Sequence, residues 1–206
     1  MSQFFAIHPV NPEHRLIKQA VKVIENGGVI IFPTDCAYAI GCKLENKFAL
    51  DRIRQLRKLD DKHNFTLICR DLSEISTYAV VDNTVFRLLK ANTPGAYTFI
   101  LRATKEVPRR LLHPKRSTIG LRVPDSQIVQ ALLTELNQPI MSVTLILPEQ
   151  EFPMVDAEEI YEALGHHVDL IIDGGPCSTT PTTIVDLVEG IPKIIRVGKG
   201  AVSAFE

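Results

Sequence analysis

The stretch Gly27-Gly28-Val29-Ile30-Ile31-Phe32-Pro33-Thr34-Asp35-Cys36-Ala37-Tyr38-Ala39-Ile40-Gly41-Cys42 decides the fold. Val29 to Phe32 is an apolar run of β-branched and aromatic residues without alternation, which predicts a strand covered on both faces, as in a sheet packed by helices. Pro33 has no amide to offer a neighbouring strand and ends the pairing. Thr34, Asp35, Cys36 and Tyr38 are thereby gathered in a polar elbow at a strand end, where α/β sheets hold ligands. A Thr-Asp pair is equally suited to an ordinary turn whose carboxylate caps a following element, so the elbow by itself leaves both readings open.

Outward from this strand, Leu16, Ile17, Ala20, Val21 and Ile24 recur at helical spacing, and Asn26-Gly27-Gly28 ends that helix. Asn46 predicts the cap of a second helix with Leu50, Ile53 and Leu56 inward. Phe65 to Cys69 reads as a strand, Asp82 starts a helix carrying Val85, Leu88 and Leu89, and Pro94-Gly95 turns the chain into the strand Tyr97 to Leu101. Thr118 to Val123 is another strand, followed by an amphipathic helix on Ile128, Val129, Leu132, Leu133 and Leu136 and a strand from Pro139 to Leu147. Glu149 to Glu162 reads as a loop and a solvated helix. Three closely spaced strands follow at 168–172, 183–187 and 193–197. Helices and strands interleave early and strands crowd late, so the expectation is one α/β domain over 1–206 with a mixed sheet.

The chain has 206 residues, 45% hydrophobic and 23% charged, which suffices for a sizeable single core. Its formal net charge of −1 leaves affinity for nucleic acid to local patches. Cys36, Cys42, Cys69 and Cys177 sit in apolar settings without a Cys-x-x-Cys, which predicts reduced thiols and argues against structural zinc. No apolar run approaches the roughly 20 residues of a membrane span and the start lacks a secretory pattern, so a cytoplasmic protein is expected. No metal site is expected, since the adjacent His166 and His167 lack a ligand pattern and read as surface residues. Asp173-Gly174-Gly175 lacks the lysine and helix of a phosphate loop.

Two cationic segments stand out. The first, Arg52 to Asn64, carries Arg52, Arg54, Arg57, Lys58 and Lys62, which suits either a helix dipole or a phosphate. The second holds Arg102, Lys105, Arg109, Arg110, Lys115 and Arg116 with only Glu106 opposing, which suits either a solvated loop or contacts to an RNA backbone. Aromatic residues are nearly absent there, so double-stranded or tRNA-like RNA is the fitting version. Arg122 lies inside an apolar strand, where an arginine needs a partner, either an internal carboxylate or a ligand anion.

Pro33 to Gly41 resembles the motif Pro-Thr-Asp/Glu-Thr-x-Tyr-Gly-Leu-Gly of the YrdC-like family, the threonylcarbamoyl-AMP synthases and their paralogues, with Cys36 in place of a threonine and Ala39 in place of a glycine. Ser117 to Pro124 resembles the family strand Thr-x-x-x-Arg-x-Pro, Pro139 to Leu147 resembles Pro-Leu-x-Ser-Thr-Ser-Ala-Asn, Pro181 to Asp186 resembles Pro-Ser-Thr-Ile-Val-Asp, and Arg196 matches the arginine of Ile-x-Arg-x-Gly. These matches run in order over almost the whole chain and point to the YciO branch. The resemblance implies a twisted mixed sheet with flanking helices and a cationic cleft. It implies a nucleotidyltransferase that joins L-threonine, bicarbonate and ATP, with Mg2+ arriving on the nucleotide, into threonylcarbamoyl-AMP for tRNA modification.

Carried over residue by residue, Arg57 and Thr144 would serve catalysis, and Arg57, Asp61, Thr118 and Arg196 would bind ATP. Thr34, Cys36, Tyr38, Arg122, Thr144 and Thr182 would bind L-threonine. Two landmarks depart from the family: Leu59 replaces the arginine of Lys-x-Arg-Pro and Ile146 replaces the asparagine, with Lys58, Lys62 and His63 as neighbouring substitutes for the lost charge. Losing one oxyanion-type contact costs on the order of 100-fold to 1000-fold in rate, so weak activity or a shifted substrate is expected. The competing expectation is a non-catalytic protein that binds double-stranded RNA or tRNA through Arg109, Arg110, Lys115 and Arg116. A small-molecule binder that kept the pocket for another metabolite is the third.

Overall fold

The computed structural model describes residues 1–60, 63 and 65–206. The first half of the chain forms β1 (Gln3–Ala6), α1 (His14–Glu25), β2 (Ile30–Phe32), β3 (Ala39–Lys43), α2 (Lys47–Arg57), β4 (Thr66–Ile68), α3 (Leu72–Tyr78) and α4 (Asn83–Asn92). The second half forms β5 (Tyr97–Arg102), β6 (Thr118–Arg122), α5 (Gln127–Leu136), β7 (Ile140–Thr144), α6 (Ala157–Leu164), β8 (Leu170–Asp173), β9 (Thr183–Asp186) and β10 (Lys193–Arg196). All the strands join one sheet in the order β1-β8-β2-β3-β7-β4-β6-β5-β9-β10. β2 runs parallel to β8 and β4 parallel to β6, whereas β3 with β7 and β5 with β6 are antiparallel, so the sheet is mixed as expected.

Local chemistry sets the boundaries. α1 stops where Gly27 takes φ +85°, and Gly28 donates to Val23 at 2.9 Å, closing a left-handed helix end. A Cβ on Gly28 would stand 2.7 Å from the Val23 carbonyl oxygen, so a side chain there would block the turn into β2. Asn46, Asp82 and Asp156 cap α2, α4 and α6 by accepting from Ala49, Val85 and Glu158 backbone amides at 3.0, 2.8 and 3.0 Å. The segment expected as a solvated helix becomes α6, whose Ala157, Ile160 and Leu164 are buried against the core. The strand expected to reach Leu147 ends at Thr144: the Leu145 amide makes a last bond in register with β3, to the Tyr38 carbonyl at 2.9 Å, and the Ile146 amide then turns back to the Thr144 carbonyl at 3.0 Å.

The two sheet faces are covered unequally. α2, α3, α4 and α6 pack Leu50, Ile53, Ile75, Leu89 and Ile160 on one face. On the other, α1 and α5 pack against Ile30, Phe32, Ala39, Ile68, Ile140, Leu170 and Ile172. Those contacts reach no further than β4 and the start of β7, and on that face β6, β5 and β9 carry no helix-packed core residue. That uncovered part of the sheet is the floor of the site.

Candidate functional site

Because strand side chains alternate, the open face receives Ser142 and Thr144 of β7, Thr66 of β4, Gly120 and Arg122 of β6, Thr98 of β5 and Ile184 of β9. A Cβ on Gly120 would lie 2.9 Å from Thr66 Oγ1 and 3.3 Å from Thr98 Cγ2, so the absent side chain keeps the floor level between two hydroxyls. Two contiguous cavities stand on this floor and share Thr66, Thr98, Val143, Thr144 and Thr182. The inner one is closed by the elbow at Cys36 to Ala39, by Ser142 and by Arg122. The outer one, wider than the inner, is flanked by Arg57, Asp60, His63, Ile146, Ile184 and Arg196.

Arg122 is the charged group of the inner cavity, and its side chain is only 9% exposed. Its Nη2 donates to Thr34 Oγ1 at 3.2 Å and to the Asp35 carboxylate, and the other oxygen of Asp35 accepts from the Asp125 amide at 3.1 Å. The Nε–H of Arg122 is buried without a partner. A donor left in this state costs about 1–3 kcal/mol, which an acceptor on a ligand would recover.

The elbow spends its own polar groups. Thr34 Oγ1 donates to the Ala37 carbonyl at 2.7 Å and accepts from Cys36 and Arg122, which saturates the hydroxyl. Tyr38 is fully buried, its hydroxyl donates to the Gly175 carbonyl at 2.8 Å, and burial raises its pKa above the usual phenol range. Thr34 and Tyr38, expected to offer side chains to a ligand, thus spend their hydroxyl hydrogens within the protein and hold the elbow in shape, and Tyr38 also lines the inner cavity. Cys36 does line the inner cavity, with a thiol pushed up by burial, so it offers a neutral S–H.

In the outer cavity Arg57 and Arg196 have no carboxylate partner among the described residues. Burial lowers the pKa of both, yet a guanidinium stays charged at any physiological pH. Arg196 is aimed by the Thr182 carbonyl, which accepts from Nε and Nη2 at 3.1 and 2.9 Å, whereas the Arg57 Nε–H is buried and unpaired. His63 is lowered by burial and by Arg57, so its imidazole is neutral and does not replace the missing charge. Thr144 and Thr182 line both cavities as expected. Thr118 is buried at the far end of β6 outside both linings, and Asp61 lies outside the described residues, as does Lys62.

Part of the predicted cationic surface is tied to the protein. Arg52 donates to Asp169 at 2.6 Å and Arg54 lies 5.2 Å over the Phe65 ring. Of the second segment, Arg116 pairs with Asp186 at 2.7 Å, Arg102 with Glu189 at 3.3 Å, and Arg110 donates to the Glu45 carbonyl. Arg109, beside Arg110 in a short 3-10 turn, and Lys115 are exposed. Sequence reasoning missed Thr66 and Thr98; the available signal was a hydroxyl interrupting each apolar strand.

The family model for Sua5/YciO/YrdC, described as Telomere recombination, matches residues 22–198. The chain belongs to this family. It is 58% identical over 205 residues to YciO of Escherichia coli, covering 100% of both chains, and superimposes on the crystal structure of that protein with a TM-score of 0.97. It is 26% identical over 161 residues to the threonylcarbamoyl-AMP synthase of Vibrio vulnificus, covering 77% of this chain and 86% of that one. The crystal structure of P. abyssi Sua5 complexed with L-threonine shares the fold at a TM-score of 0.88 and 22% identity over 96% of this chain and 58% of the other. Within the family fold the two departures have different surroundings. Leu59 follows Lys58, which ends α2 at φ 48°, and its amide donates to Arg54 while its side chain packs on the core. It therefore acts as the apolar plug of a helix end and lines neither cavity. Ile146 does face the outer cavity.

Proposed function

We propose that the inner cavity takes the carboxylate and hydroxyl of L-threonine and the outer cavity the phosphates of Mg·ATP, forming threonylcarbamoyl-AMP and pyrophosphate. The observation that carries this is a pair of adjoining cavities with a shared wall of hydroxyls, each holding an arginine whose buried Nε–H lacks an acceptor. The neutral threonine amine attacks the carbon of bicarbonate, whose C–O bond breaks with loss of water carrying off an amine proton, to give a carbamate, whose oxygen attacks the α-phosphorus as the bond to the bridging oxygen of pyrophosphate breaks. The leaving group carries away the electron pair, and Arg57 and Arg196 neutralise the phosphate charge. Such a reaction is driven by placement and charge neutralisation, with little covalent work for the protein. Thr144 and Thr182, common to both cavities, orient the two substrates toward each other. The naming of Sua5 as an L-threonine complex and of the Vibrio relative as a synthase supports the same assignment. Ile146 cannot hydrogen-bond a phosphate, and the turnover is accordingly slow.

Calorimetric titration of Mg·ATP with and without L-threonine and bicarbonate, followed by pyrophosphate detection, tests this reading. Cooperative binding with pyrophosphate release is expected. Absence of nucleotide binding at millimolar ATP, together with RNA binding that falls steeply with salt, would overturn it in favour of an RNA-binding role for the exposed Arg109 and Lys115.

A further inference from the structure

Arg122 presents a difficulty for a substrate-binding arginine: the chain already supplies it with a carboxylate. Asp35 and Arg122 form an ion pair whose side chains are 12% and 9% exposed. Asp35 is fixed independently of Arg122, since its second oxygen accepts from the Asp125 amide at 3.1 Å and its main-chain carbonyl accepts from Lys199 Nζ. Three separate segments, the end of β6, the approach to α5 and the loop after β10, thus converge on one elbow residue.

We propose that Asp35 is a positioning residue, holding the Arg122 guanidinium so that its buried Nε–H is presented to the carboxylate of the amino acid in the inner cavity. The identity of that amino acid rests on the functional reading above. A free arginine side chain carries much rotamer freedom, and a guanidinium locked before the ligand arrives loses little on binding. Nη2 contributes its hydrogens to Thr34 and Asp35, while Nε–H is left for the ligand. The ion pair also sets the charge of the cavity. An unpaired guanidinium would hold any small anion, pyrophosphate included, whereas the Asp35–Arg122 pair is neutral overall and suits a single carboxylate whose own charge is balanced by an ammonium group.

The test is L-threonine and Mg·ATP affinity, measured by calorimetry, for the whole chain and its Asp35→Asn and Asp35→Glu variants, each first shown to be folded by circular dichroism. Asp35→Asn keeps the shape and removes the charge that anchors Arg122. Its L-threonine affinity is expected to fall about tenfold to about a hundredfold, the worth of a hydrogen bond to a charged group, with Mg·ATP affinity changed less than about twofold. Asp35→Glu should recover part of the loss. Equal or tighter L-threonine binding by Asp35→Asn would overturn the proposal, because Asp35 would then be a competitor of the ligand. Parallel loss of both ligands would overturn it too, by making Asp35 a support of the whole cleft. If the unaltered protein binds no L-threonine, the functional reading fails, and the Arg122 Nε–H resonance in a 15N-labelled sample decides the positioning separately. A slowly exchanging signal that disappears in Asp35→Asn supports positioning, and an unchanged signal overturns it.

Discussion

Replacing Arg122 by methionine should destabilise the protein strongly, and neutralising Asp35 in the same chain should return most of the loss. The methionine fills much of the same space, but it leaves Asp35 with the Asp125 amide as the remaining partner of its carboxylate and strips one donor from Thr34. Both side chains of the pair are under one eighth exposed, so water screens the orphaned charge poorly. Breaking a buried pair from one side costs about 3–5 kcal/mol, whereas exchanging the whole pair for neutral groups is close to neutral. In a domain of this length each kcal/mol moves the midpoint by about 2–4 °C, so Arg122→Met should lower Tm by about 6–20 °C. The Asp35→Asn/Arg122→Met chain should recover at least half of that drop, measured by calorimetry and by urea unfolding with an unchanged m value. If the double variant melts no higher than Arg122→Met, the uncompensated carboxylate is not the cause, and the energetic account of the elbow is wrong.

Ile146→Asn restores a polar group to the outer cavity at a site only partly buried, so stability should change by about 1 kcal/mol while pyrophosphate release rises at least about tenfold; an unchanged rate in a folded, ATP-binding variant would remove Ile146 as the cause of slow turnover. His63 is held neutral by burial and by Arg57, and a bound triphosphate favours its protonated form, so Mg·ATP binding near pH 6 should take up a proton and tighten as pH falls. Calorimetry in two buffers of different ionisation enthalpy checks this, with His63→Gln losing that component. The Cys177 thiol donates to the Thr34 carbonyl at 3.7 Å and burial pushes its pKa up to about 11, so alkylation by iodoacetamide at pH 8 should run roughly a hundredfold slower than for a free thiol. Rapid labelling of Cys177 in the folded protein would contradict the packing of the elbow.

The elements legible in the sequence are those whose local signal and tertiary role agree. α1, α2, α4 and α5 each combine an apolar stripe with a side-chain cap or a glycine stop, and β2 is as apolar as its buried position demands. β1 escaped notice because its one neighbour, β8, holds it by backbone pairing while three of its four residues stay exposed. β3 carries Ala39 and Gly41 in place of bulky residues, since a Cβ at Gly41 would come within 2.7 Å of the Met141 carbonyl and 3.2 Å of the Phe32 ring. Close packing removed the very side chains by which strands are recognised. α3 has seven residues and buries only Ile75, too little for a periodicity to show. In the site, family likeness placed Cys36, Tyr38, Arg122, Thr144, Thr182, Arg57 and Arg196 on the cavity walls, but it could not show that the Thr34 hydroxyl donates locally to Ala37 and the Tyr38 hydroxyl to the distant Gly175 carbonyl.

The cleft itself follows from a change of environment along single strand faces. In β7, Ile140, Ser142 and Thr144 point the same way; Ile140 lies in the apolar layer packed by α1 and α5, and the next two stand in the open cavity. β4 repeats the step with Ile68 inside the layer and Thr66 outside it. An alternation read strand by strand averages these residues into one face of mixed character, which reads as noise. Placed side by side by the β4–β7 register, where Thr66 faces Ser142 and Ile68 faces Ile140, they mark one boundary across the sheet. On the far side of that boundary the sheet must carry groups that tolerate water when empty and bind polar atoms when filled, and hydroxyls beside a glycine meet both demands. A threonine-rich floor with guanidinium groups at its ends is thus the expected consequence of covering one face of a wide mixed sheet with only two helices.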